Sequence, residues 1–260
     1  MGDRTGIEWT DATWNPVTGC TKVSSGCDHC YAASLAERRL REIYLRRHPV
    51  IDSAESRADP FAVRLWPERL SQPVKWLEPR VVFVNSMSDL FHIDIPDAFV
   101  VEIFRVMLAA DRHVYQVLTK RPSRALRFWR QHKELFGGGP IPEHIWIGTS
   151  IENQAVAYRA DHLRQVPASV RFLSCEPLVG PLALGLGGIH WVIAGGESGP
   201  EHRPLNLDWV RGIRDRCGVA GVAFFFKQVG GRTPKAGGRE LDGREWDEMP
   251  EAAFRVLASL

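Results

Sequence analysis

The sequence predicts an α/β chain folded as a partial (β/α) barrel of about six to seven parallel strands. Three observations predict it. Short apolar runs rich in β-branched and aromatic residues recur along the chain, helical patterns lie between them, and polar residues follow nearly every run. Near-continuous apolar runs suit parallel strands covered on both faces. Strand alternating with helix implies a parallel sheet.

Taken in order, a first strand is expected at 14–18 and a helix at 31–48. Residues 49–79 carry four prolines before Pro79 and read as an elaborated connection, not a separate domain. Apolar strands follow at 81–84, 114–118, 145–147, 170–173, 191–194 and 222–226. Their starts are roughly 20 to 33 residues apart, as βα units require. Phe99, Val100, Ile103, Phe104, Met107 and Leu108 form a helical stripe across 96–110. Pro122 suits the first turn of a helix reaching about Gln131. Asn206 reads as an N-cap, with Asp208 in the first turn and Gly218 just past the end. The Gly-, Pro- and Leu-rich stretch 176–189 predicts a short or irregular crossover, which argues against a full eight-fold repeat. The tail 230–260 is loop-rich, an ordered loop or a lid, and the whole of 1–260 reads as one domain.

Hydrophobic content of 44% and charged content of 25% are those of a chain with a real core, and a net charge of +2 demands no polyanionic partner. The N-terminus has no apolar signal region, and Met1 to Gly6 lack a myristoylation pattern. No apolar run approaches the roughly 18 residues of a membrane span. A cytoplasmic protein with reduced thiols and no membrane contact is the expectation.

Three of five cysteines, Cys20, Cys27 and Cys30, form a C-x6-C-x2-C pattern, with Gly19 and Gly26 beside the sulfurs to let the backbone turn. Thiolates select zinc or iron–sulfur clusters over hard cations. Structural zinc sites usually have four protein ligands, so zinc would need His29, Asp28 or a distant residue. A four-iron cluster held by three thiolates leaves one iron open. Unligated thiols are the third alternative. The triplet follows the first strand, at the end where parallel α/β barrels place their chemistry. Trp9 and Trp14 flank it as candidate shields against solvent.

The segments IEWTDATWNPVTGC and GCDHCYA, with FVNSMSDLFH, LTKRP, SCEPL, GGESGP and FFKQ downstream, resemble the three-Cys-motif proteins of phages and bacteria from Ile7 to Pro250. That family is regarded as related to the radical S-adenosylmethionine superfamily, and its substrate is not established. The superfamily motif is usually C-x3-C-x2-C; here the first spacing is longer and His29 takes the place of an aromatic residue. The resemblance implies a radical S-adenosylmethionine-like version of the partial (TIM-type) barrel, a [4Fe-4S] cluster on Cys20, Cys27 and Cys30, and S-adenosylmethionine as cosubstrate. It assigns Ser86, Ser88 and Asp89 to the methionine amino group, and Ser150, Glu152 and Asn153 to the ribose. Lys120 or Arg121 would hold the carboxylate.

Other strand-end residues are read from the chain itself. Cys175 is a candidate hydrogen-atom donor beside Glu176, with a buried structural cysteine as the alternative. Gly195 and Gly196 lack the pattern of a phosphate loop and are expected to form a tight turn that presents Glu197 and cradles cosubstrate or substrate. Helix caps and turn residues are the plain alternative throughout. The leading expectation is an enzyme that cleaves S-adenosylmethionine to a 5′-deoxyadenosyl radical, fed by a flavodoxin- or ferredoxin-type reductant. A nucleic acid is its candidate substrate, and a companion protein is a further candidate partner. The competing expectation is a non-enzymatic, metal-stapled module that binds nucleic acid or protein through Arg38, Arg39, Arg41, Arg46 and Arg47.

Overall fold

The computed structural model describes residues 5–251. The N-terminal Met1 to Arg4, read above for lipidation, and the end of the tail, 252–260, lie outside the described residues. Seven strands form one all-parallel sheet: β1 (Ala12–Trp14), then β4 (Val81–Val84), β5 (Val114–Thr119), β6 (Ile145–Ser150), β7 (Arg171–Cys175), β8 (Trp191–Gly195) and β9 (Ala223–Gln228). This is the partial β/α barrel expected. The remaining ladder pairs β2 (Val17–Thr18) with β3 (Arg64–Leu65), antiparallel. The expected first strand therefore splits: Ala12–Trp14 joins the barrel, and Val17–Thr18 turns away to pair with the long connection.

Side-chain alternation explains why both faces of the strands are apolar. Val82, Val84, Tyr115, Val117, Ile147, Leu173, Val192 and Phe224 face the helices. Val81, Phe83, Val114, Trp146, Phe172, Trp191, Ile193 and Phe225 face the barrel interior. Trp191 is the hub there, with ring centroids 5.7 Å from Phe172, 6.1 Å from Trp146 and 6.2 Å from Phe225. Trp9 arrives from the N-terminal segment and bridges Phe83 and Trp191 at 4.8 and 6.1 Å. Gly148 makes this layer possible, because a Cβ there would lie 2.4 Å from the Phe172 ring.

The helices follow the expected rhythm. Before β4 come α1 (Tyr31–Arg38), α2 (Arg41–Leu45), α3 (Ala54–Ala58) and α4 (Gln72–Lys75). Crossovers then use α5 (Asp97–Ala109), α6 (Pro122–Gln131), α7 (Arg159–Arg164) and α8 (Leu207–Ala220). Asn206 caps α8 as expected, accepting from Asp208 N at 2.9 Å, but the helix runs past Gly218 and ends at Gly221, in the left-handed conformation. The single helix expected at 31–48 is broken at Leu40. The break lets Tyr44 turn inward and bury against Trp66, with Ala32, Ala36 and Met87. Between β7 and β8 no helix forms. Leu182, Leu184 and Leu186 instead alternate inward with exposed Ala183 and Gly185, so an extended segment covers the sheet.

The tail is not a lid over its 239–249 part. It runs back along the free edge of β9, where Phe226 N donates to Trp246 O at 2.8 Å and Trp191 Nε1 donates to Glu248 O at 2.8 Å. A covered edge blocks intermolecular strand pairing. Within the described part of the tail, 230–238 approaches the barrel mouth, where Gly231 N donates to Glu197 O at 3.0 Å. No helix among the described residues is long and apolar enough to cross a membrane.

Candidate functional site: a cysteine-walled cavity at the barrel mouth

Inward-facing positions change character along each strand. After Phe83 comes Asn85, after Leu118 comes Lys120, after Gly148 comes Ser150, after Phe172 come Ser174 and Glu176, and after Phe225 comes Lys227. The apolar layer closes the bottom of the barrel and the polar positions open it at the carboxyl ends. Between them is a cavity of about 390 Å³, within the roughly 300–1,000 Å³ of small-molecule sites. Trp9, Phe83 and Leu118 contribute its apolar wall. Trp14, the other expected shield, is fully buried on the helix side, where its Nε1 donates to Arg69 O at 2.8 Å.

Cys20, Cys27 and Cys30 all line this cavity, each partly exposed and free of disulfides. Their loop is strapped to the strand ends. Gly19 N donates to Met87 O and Cys20 N to Phe61 O, at 2.9 and 3.1 Å. Gly26 N donates to Glu152 Oε1 at 3.2 Å, and Asn153 Nδ2 donates to Ser25 Oγ at 3.1 Å. Arg159 reaches Ser24 Oγ at 2.9 Å and Glu152 at 3.0 Å, and Arg203 reaches Ser25 O at 2.9 Å. Gly19 takes the left-handed φ of 89° expected of it. Gly26 has another role: a Cβ there would lie 3.0 Å from the Glu152 carboxyl carbon, so a larger residue would press on the strap. Cys30 then caps α1, its carbonyl accepting from Ser34 N.

The structure brings most of the predicted site residues together. Ser86, Ser88, Asp89, Lys120, Arg121 and Ser150 line the cavity, as do Glu176, Gly196 and Glu197. Four predicted residues do not. Cys175 lies on the opposite face of β7, fully buried with Cys217 in the helix-side core. Burial pushes its thiol far above the ordinary range. Period-two alternation puts Ser174 in the cavity instead, which corrects the reading of Cys175 as a hydrogen donor. Glu152 and Asn153 are engaged with the cysteine loop and stand outside the cavity, which corrects their assignment to the ribose. Glu152 is held ionised below the usual carboxylate range: burial opposes this, but Ser24, Lys120, Arg159 and the Gly26 amide outweigh it. Gly195 stands behind Gly196, against Glu176 and Lys227.

Asp89 lines the cavity, yet its carboxylate is already saturated. It accepts from Phe91 N at 2.9 Å, Thr119 Oγ1 at 2.7 Å, Lys120 N at 3.0 Å and Arg121 Nη1 at 2.8 Å. A role on an amino group is therefore corrected to a structural one. Arg121 is likewise tied, to Asp89, to Thr21 and to the Cys20 sulfur at 3.5 Å. Lys120 makes no side-chain hydrogen bond among the described residues, so it is the cation available to a bound carboxylate. Glu176 pairs with Lys227 at 2.8 Å. Glu197 accepts from Arg203 at 2.6 and 2.9 Å and meets His29 Nδ1 at 3.1 Å. These contacts hold its carboxyl below the usual range despite burial. Burial and the Asp89 charge push the Cys20 thiol up to about 11, with Arg121 opposing.

Sequence reasoning gave His29 only as a candidate zinc ligand, left Ser174 as a strand-end residue without a role, and passed over Arg159 and Arg203. Alternation from Phe172 identifies Ser174. His29 lies within the cysteine motif. Arg159 and Arg203 carried no signal, because each acts through a long side chain reaching a loop more than 130 residues away in sequence. Of the arginine series at 38–47, Arg41 is paired with Glu37, and Arg47 with Glu68 while stacked over Trp66. That spends part of the basic face proposed for nucleic acid.

Among the described residues, no three Cys, His, Asp or Glu side chains converge closely enough to hold one metal ion. A polynuclear cluster spreads its ligands over several metal atoms. The donor set fits such a cluster by its chemistry: three soft thiols on one cavity wall, with a guanidinium on one of them. No curated protein and no solved structure matches the chain at a significant level. Residues 4–250 match the family described as a protein of unknown function, DUF5131. The chain with this cysteine-walled barrel mouth therefore belongs to the DUF5131 family.

Proposed function

We propose that this protein is a radical S-adenosylmethionine enzyme whose iron–sulfur cluster is held by Cys20, Cys27 and Cys30. The observation that carries the reading is that three free cysteines share one wall of a ligand-sized cavity at the carboxyl ends of parallel strands. When bound and reduced, the cluster would supply the electron that cleaves S-adenosylmethionine to methionine and a 5′-deoxyadenosyl radical. The rest falls to the chain. Glu152, Asn153, Arg159 and Arg203 hold the cysteine loop at the mouth. Lys120, whose ammonium makes no hydrogen bond among the described residues, faces the cosubstrate carboxylate, and Ser86, Ser150 and Ser174 offer hydroxyls. Trp9, Phe83 and Leu118 give the adenosyl moiety an apolar wall and limit water. Glu176 faces the same space beside Lys227, where it serves the substrate, while Glu197, engaged by Arg203 and His29, holds those two side chains at the mouth. Such a protein works in the reduced cytoplasm with a flavodoxin- or ferredoxin-type donor.

The test is anaerobic reconstitution with iron and sulfide, followed by dithionite reduction in the presence of S-adenosylmethionine. A brown protein that releases 5′-deoxyadenosine is expected, with release lost in Cys27→Ala. A colourless protein that retains zinc, or release unchanged in Cys27→Ala, would overturn the proposal.

A further inference from the structure

The geometry points to Arg121 as the residue that sets the reduction potential of the cluster, and to Asp89 as the residue that positions Arg121; the inference rests on the cluster reading above. Arg121 lies two residues past the end of β5 and occupies the N-cap position of α6. Its side chain is largely buried. Nη1 lies 2.8 Å from Asp89 Oδ2 and 3.5 Å from Cys20 Sγ, while Nη2 donates to Thr21 O and Thr21 Oγ1, both at 3.1 Å. Among the described residues no comparable side-chain donor reaches the sulfur of Cys27 or Cys30. One of the three thiolates is therefore marked out.

Reduction adds negative charge to an iron–sulfur cluster and its thiolates. A guanidinium donating to a thiolate stabilises the reduced state more than the oxidised one and raises the potential. Partial burial keeps that interaction from being screened away. Asp89 is built to hold the guanidinium there. Four donors from two segments, Phe91 N on one and Thr119 Oγ1, Lys120 N and Arg121 Nη1 on the other, fix its carboxylate, so it cannot swing with Arg121. Thr119 completes the frame by also accepting from Arg121 N at 2.8 Å. On the far side of Thr21, His92 Nε2 meets Thr21 Oγ1 at 2.8 Å, so the residue after Cys20 is gripped from two directions. These groups place one donor on one sulfur.

The experiment is an EPR-monitored redox titration of anaerobically reconstituted protein, with iron and sulfide content measured for each variant. Arg121→Gln is expected to keep wild-type iron and sulfide but to show a more negative midpoint potential. Arg121→Lys, which keeps charge but not the fork, should fall between, and it serves alone if Arg121→Gln does not fold. Lys120→Gln removes a cavity cation that touches no sulfur and should shift the potential less. In an Asp89→Asn background, the shift caused by Arg121→Gln should shrink, because an untethered arginine has less to lose. A potential unchanged in Arg121→Gln, or a shift no larger than that of Lys120→Gln, overturns the role of Arg121. Simple additivity with Asp89→Asn overturns the role of Asp89. Wild-type protein that takes up no iron and sulfide would sink the cluster reading itself, a distinct result.

Discussion

At the scale of single residues, the site is defined as much by what is tied down as by what is free. Glu152 and Arg159 form a fully buried pair, and removing one partner of such a pair leaves an uncompensated charge at a cost of about 3–5 kcal/mol. Glu152→Ala should therefore lower stability by that order in urea denaturation, and the folded fraction should take up less iron, because Gly26 loses its anchor. Normal stability with full iron uptake would show that Glu152 is not the strap described. Ser174 and Cys175 make a sharper pair, adjacent in sequence but on opposite faces of β7. Ser174→Ala should weaken S-adenosylmethionine binding by calorimetry and leave stability within about 0.5 kcal/mol. Cys175→Ala should do the reverse, losing about 1 kcal/mol and leaving binding intact. Weakened binding in Cys175→Ala alone would put the thiol back in the chemistry.

At the scale of elements, the apolar runs located six of the seven barrel strands, since packing on both faces of a parallel sheet requires them; the first, expected at 14–18, lies at Ala12–Trp14. Their carboxyl ends were cut short at 118, 147 and 173 because the ladder continues through Thr119, Gly148 to Ser150, and Ser174 to Cys175 regardless of side-chain polarity. The same polarity drew the site to the strand ends correctly. It could not separate residues that face the cavity from those that hold the cysteine loop, because Ser150 and Glu152 differ only in what lies across from them. The splitting of 14–18 and the break at Leu40 depend on partners far along the chain, Arg64–Leu65 and Trp66. Gly148 tests the interior packing. Gly148→Ala should cost about 1–3 kcal/mol by overpacking against Phe172. Phe172→Leu in the same chain should recover part of it; no loss in the single variant would mean the layer is looser than drawn.

At the scale of the whole molecule, four histidines set the pH response. His92, His113, His144 and His190 are held below the ordinary imidazole range, in each case first by burial. His113 shows why: Nδ1 is buried with no hydrogen-bond partner among the described residues, and burial outweighs the opposing bond from Nε2 to Pro73 O at 2.9 Å. The unfolded chain therefore takes up protons first as pH falls through about 6.5, and stability declines there. Glu152 and Glu197, held below the carboxylate range, add a second loss only below about pH 4.5. Thermal unfolding should show a lower Tm at about pH 5.5 than at about pH 7.5, and an unchanged Tm would contradict this burial pattern.

The same frame places three thiols, Lys120 and an apolar wall around one cavity. The proposal that this cavity joins a cluster to S-adenosylmethionine is tested most directly by EPR of the reduced, reconstituted protein with and without S-adenosylmethionine. The account predicts a [4Fe-4S] signal that is altered when S-adenosylmethionine is added. Absence of that signal, or a signal indifferent to S-adenosylmethionine, would contradict it.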